Sequence, residues 1–203
     1  MGRWGADFDA DRLADLETAM WKAYYRRQPV RLFGLLIQGL RAQAHASWPR
    51  ALAAAFFLTK GAAGFARATG DYDRFAPDIA RGYRLLGLPQ NIDAVEVAKR
   101  ELRWWVVRRE IGLAAGAAAG EAITRLYAAL YDLPESIVAE AGRLRGEAAE
   151  VRDRGAVADP EGQRARGPAY WPEVARLLRR SYRELHRALG SVEPGNPPDP
   201  SPG

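Results

Sequence analysis

The sequence predicts an all-α fold, a single-domain helical bundle of seven or eight helices, on three observations. Apolar residues recur at helical spacing from end to end. Pro and Gly fall at the edges of these periodic segments, where they start and stop helices. No alternating Val/Ile/Thr run and no Asn-Gly or Asp-Gly hairpin signal interrupts them. With 203 residues, 48% of them hydrophobic, the chain is long enough for one domain with a sizeable core and too short for two. That domain is expected over residues 1–190.

The first helix is expected from Asp9 to Arg27, with Leu13, Leu16, Met20 and Tyr24 on one stripe. Pro29 opens a second, to Ala46, with Leu32, Phe33, Leu36 and Leu40 inward. Ser47 caps a third that runs to Gly70 and is apolar nearly all round, which predicts a central place in the bundle. A fourth spans Asp73 to Leu86, with Pro77 in its first turn, and stops at Gly87 and Pro89. Asp93-Ala-Val-Glu96 has the pattern of a capping box and starts a fifth helix reaching Ile111. Gly112, Gly116 and Gly120 then recur every fourth residue. They are read as a smooth ridge for close helix contact, or as a break followed by a sixth helix to Tyr131; no Gly-Lys-Ser/Thr makes them a phosphate loop. Pro134 opens a seventh helix to Asp153, residues 154–169 read as a mobile loop, and a last helix runs from Trp171 to Gly190. The tail, 191–203, holds five prolines and is expected to be disordered.

Composition removes several function classes. Without cysteine there is no disulfide framework, thiolate metal site or cysteine nucleophile. The two histidines, His45 and His186, fall at surface or boundary positions of their helices, and no Gly-x-Ser-x-Gly elbow is present. The net charge is +5, and arginine makes up all but three of the 30 basic residues. Acidic residues alternate with basic ones almost everywhere, so no nucleic-acid partner is expected. The most apolar stretch, Ala51 to Ala68, is interrupted by Lys60 and reads as a soluble helix, so neither a membrane partner nor a secretory signal is expected. A cytoplasmic protein follows, and the third helix suits a monomer core or a homodimer interface equally.

Three helices carry charges on their apolar faces. At about 100° per residue, Glu17 falls within the sector of Leu13, Met20 and Tyr24, with Trp21 beside it. On the fifth helix Glu101 and Arg108 fall between Val97, Trp104 and Trp105. On the seventh, Arg145 and Arg152 share a face with Leu144, Ala148 and Val151. A buried charge is costly unless paired, so Arg108, Arg145 and Arg152 are the expected partners of Glu17 and Glu101. Tyr24, Tyr83, Tyr127, Tyr131 and Tyr182 add hydroxyls.

Three readings of this cluster follow. As a ligand site, Glu17, Trp21, Tyr24, Glu101, Trp104, Trp105, Arg108, Arg145 and Arg152 would hold a small acidic or aromatic ligand or a protein partner, without catalysis. As a metalloenzyme, Glu17 and Glu101 would face one another across a helical core. A di-iron carboxylate core also needs Glu-x-x-His, and here Ala42 precedes His45 and Arg183 precedes His186. As a structural network, the charges would fix helix register. No catalytic residue, metal ligand or cofactor is assigned.

Overall fold

The computed structural model describes residues 4–158 and 168–191. Eight α-helices make up these residues, with no strand among them: α1 (Ala10–Tyr25), α2 (Pro29–Ala44), α3 (Trp48–Arg67), α4 (Ala76–Leu85), α5 (Ala94–Ile111), α6 (Gly116–Tyr131), α7 (Glu135–Ala158) and α8 (Trp171–Ser191). Short 3₁₀ turns at Tyr72–Phe75 and Gly112–Ala114 join α3 to α4 and α5 to α6.

Side-chain caps form at the starts of α1 and α5, while Ser47 occupies the N-cap position of α3 without a side-chain hydrogen bond. Asp9 accepts a hydrogen bond from the Arg12 amide at 3.0 Å, and Asp93 accepts one from the Val95 amide at 2.8 Å. The expected capping box is half formed, because Glu96 reaches forward to Arg100 rather than back. Gly112 ends α5 at a φ of 71°, a left-handed conformation that glycine adopts without a Cβ clash. The end of α7 differs from expectation. α7 continues through 154–158, so that part of the expected loop is helical; 159–167 lie outside the described residues, as does the tail beyond Ser191.

Each helix packs on its successor, and α8 returns to pack on α1, so the eight form a closed circuit. The tightest join is between α6 and α7. A Cβ at Gly146 would stand 2.3 Å from the Gly116 carbonyl oxygen and 2.5 Å from the Gly120 nitrogen, so the two backbones touch where the glycine ridge lies. The seam from α8 to α1 is polar outside. Arg183 donates to Asp11 and Arg179 to Asp15, each at 2.7 Å at its shortest, and His186 Nδ1 lies 2.8 Å from the Phe8 carbonyl. Ser181, fully buried, donates to the Ala141 carbonyl at 2.7 Å and stitches α8 to α7.

The main core, around Val97, Leu102, Ile123, Leu126, Leu144 and Leu177, belongs chiefly to α1 and α4–α8, with Phe65 its one buried residue from α3. The α2–α3 hairpin rests on a small second cluster of Ile37, Ala46, Ala51, Ala54, Ala55 and Leu86. The expected central place of α3 is therefore a misreading. Trp48, Leu52 and Phe56 on its outer face are 58, 52 and 57% exposed. A helix that is apolar nearly all round need not be surrounded by protein; this one has partners on one side and open surface on the other.

Candidate functional site

Closing eight helices into a circuit leaves a space where their inner faces fail to meet. Here it is a cavity of about 670 Å³, lined by residues of all eight helices. Its wall is aliphatic and aromatic, chiefly Leu32, Phe33, Leu36 and Leu40 of α2 with Ala62 and Ala66 of α3. Its floor is polar: Glu17 from α1, Tyr83 from α4, Glu101 from α5, Tyr127 from α6, Arg145 from α7 and Tyr182 from α8.

Glu17, 2% exposed, is the deepest charge. Its Oε1 accepts from Arg145 Nη2 at 2.6 Å and Nε at 2.9 Å, and from Trp21 Nε1 at 3.1 Å. Its Oε2 is buried and has no hydrogen-bond partner. Arg145 also donates to the Tyr127 hydroxyl at 3.2 Å, and its guanidinium lies 5.4 Å from the Trp104 ring centre. Burial opposes the Arg145 charge, but Glu17 and the surrounding oxygens more than offset it, so the guanidinium holds its proton more firmly than usual.

Among the described residues, Glu101 has no cation in contact. Its Oε2 accepts from the Tyr83 hydroxyl at 3.0 Å and its Oε1 from Trp104 Nε1 at 3.3 Å. Burial raises its pKa above the ordinary carboxylate value against the opposing pull of Arg145, and Glu17 adds to the rise. Burial likewise raises the pKa values of Tyr83, Tyr127 and Tyr182, with the nearby carboxylates contributing, so all three hydroxyls keep their protons.

The expected cluster thus divides. Glu17, Glu101 and Arg145 come together at the cavity, with Trp105 on its lining and Trp21 and Trp104 behind the carboxylates as donors. Tyr24 also lines the cavity, but at 59% exposure it stands at the mouth and not in the interior. Arg108 and Arg152 lie elsewhere: the expected pairing of these two with Glu17 or Glu101 does not form. Both take Asp153, at 2.7 and 2.8 Å, while Arg108 also donates to the Tyr25 hydroxyl and Arg152 stacks on the Tyr25 ring. Sequence reasoning missed Asp153. Its signal was present: two inward arginines on different helices need an acid, and Asp153 adjoins one of them.

Among the described residues, no group of three or more His, Asp or Glu side chains is placed to hold a metal ion. No helix among them is long and apolar enough to cross a membrane. Comparison of the chain with protein-family models, curated proteins and solved structures finds no match. The site must be read from its own chemistry.

Proposed function

We propose that the protein is a non-catalytic binding module for a small amphipathic ligand. An aromatic or aliphatic body would fill the α2–α3 side of the cavity, and a hydrogen-bond-donating head would rest on Glu101 and Glu17. The observation that carries this reading is the cavity itself. A volume of about 670 Å³ is within the range of small-molecule sites, and an apolar wall with a few convergent polar groups is their usual composition. The head follows from charge. The floor carries two carboxylates against one guanidinium, and that guanidinium is already taken by Glu17. An acidic head at the floor would find every expected arginine committed, because Arg108 and Arg152 hold Asp153; Arg27, unpaired among the described residues, lines the cavity only at its exposed end, beside Tyr24. A donor, neutral or cationic, would meet the unpartnered Glu17 Oε2 and the uncompensated Glu101.

The Asp153 cluster supports a structural role for the other half of the charges. It links α5, α7 and the Tyr25 end of α1 away from the cavity.

The test is a fluorescence titration with Nile red, a neutral aromatic dye, followed by displacement with dodecylamine or dodecanoate. Saturable binding that Ala62→Phe abolishes is expected, because the added ring occupies the cavity. Dodecylamine should displace the dye at lower concentration than dodecanoate, and Glu101→Leu should erase that difference while leaving helix content intact. Dye binding unchanged by Ala62→Phe would overturn the cavity reading, and preferential displacement by dodecanoate would overturn the assignment of the head.

A further inference from the structure

The outside of the α2–α3 hairpin carries a feature independent of what fills the cavity. Between Arg26 and Gly70 the chain has seven basic residues and not one Asp or Glu. The alternation of charge expected almost everywhere along the sequence fails here. Of these basic groups Lys60 pairs with Asp78, Arg50 donates to the Leu85 carbonyl, and Arg41 donates to the Ala46 carbonyl and stacks on Trp48 at 4.1 Å. Arg26, Arg27, Arg31 and Arg67 form no ion pair among the described residues.

In the same segment Trp48, Leu52 and Phe56, four residues apart, form an exposed apolar ridge along α3. Val30, at the start of α2, is 86% exposed. By helical period the ridge continues into Thr59, Ala63 and Ala66, which line the cavity mouth. Exposed large apolar side chains in a segment rich in cations and free of acids are the composition of a helix that lies in a bilayer interface. Each such cation near an anionic leaflet contributes about 1 kcal/mol of attraction.

We infer that the α2–α3 hairpin docks on an anionic lipid bilayer, with Trp48, Leu52 and Phe56 in the headgroup–acyl boundary and the unpaired arginines on lipid phosphates. The expectation of no membrane partner rested on the absence of a spanning segment, and lying on a surface requires none. A second copy of the chain fits this face poorly, because a face drawn from a segment with seven basic residues and no acid would meet its own charge at contact. Nucleic acid would use the arginines but gives three adjacent apolar side chains nothing to bury against. A bilayer uses both, and it would put the cavity mouth at the lipid surface.

The test is flotation of the full chain with phosphatidylcholine vesicles, with and without about 30 mol % phosphatidylglycerol. Binding is expected to the anionic vesicles, weaker to the neutral ones, and weaker again at about 0.5 M salt. The combined variant Trp48→Ser, Leu52→Ser, Phe56→Ser should lower partitioning about tenfold or more, through loss of buried apolar area. Arg26→Glu with Arg31→Glu should remove the preference for anionic lipid. Both variants change exposed residues, and matching circular dichroism spectra will show that they fold. Equal flotation of wild type and the apolar variant would overturn the inference. So would a failure to float, whether or not the ridge instead mediates a dimer that the serine variant dissolves. None of these outcomes depends on Nile red binding.

Discussion

Arg145→Met removes the only cation in contact with Glu17 among the described residues, and its cost follows from the geometry. Two charged hydrogen bonds, at 2.6 and 2.9 Å, are lost from a carboxylate that is 2% exposed and already has one unpartnered oxygen. Stranding a buried charge in this way costs about 3–5 kcal/mol. With a urea dependence of about 2 kcal/mol per molar, the unfolding midpoint should fall by about 2 M. Adding Glu17→Gln removes the stranded charge, so the double variant should recover much of that loss, and the double-mutant cycle should give a coupling of about 1.5–3 kcal/mol or more. Because the pair is shielded from solvent, about 0.5 M salt should leave the coupling nearly unchanged. Urea unfolding followed by circular dichroism measures all four proteins. A single-variant cost under about 1 kcal/mol, the range of exposed ion pairs, would refute the reasoning, and so would strict additivity in the cycle.

Other outcomes are equally specific. The pKa of Glu101 is raised in the folded protein, so folding takes up a proton; its contribution is full below the unfolded carboxylate value and is lost as pH rises through the folded one. Thermal unfolding across this window should show wild type losing stability relative to Glu101→Gln as pH rises. Gly146→Ala should destabilise by about 1–3 kcal/mol or more, because its methyl meets backbone atoms of α6 and no flexible side chain can yield. Gly190→Ala, with nothing within 4 Å of the new methyl, should instead be neutral or stabilising by up to about 1 kcal/mol, and the same urea assay compares the two.

Local chemistry was legible in the sequence where one side chain decides the outcome. Asp9, Pro29 and Asp93 start their helices as their capping or ring chemistry requires, and Gly112 ends α5. The end of α7 was not legible. Arg154-Gly155 reads as loop, yet the helix continues with the Tyr170 ring against Gly155, a contact made by a residue fifteen positions on. At the site, helical angle placed Glu17, Glu101 and Arg145 on inward faces, and they do meet. Angle cannot say at what height along the bundle two inward faces cross, so Arg108 and Arg152 were assigned to the wrong carboxylates. Nor can it give the distance between opposed walls. The inward leucines of α2 are evident in the sequence, but that they face a space and not another helix is a property of the closed circuit.

That circuit also sets the order in which the chain can mature. Asp11 and Asp15 find Arg183 and Arg179 across separations of 172 and 164 residues, so the first helix leaves the ribosome long before the last one exists. At ordinary rates of synthesis the gap is on the order of ten to thirty seconds. During that interval Glu17 has no Arg145, α1 has no α8, and the inner leucines of α2 face water. The cavity is therefore made last, once α8 has emerged and closed on α1, and any helper that shelters nascent apolar surface would have its longest opportunity on the first three helices.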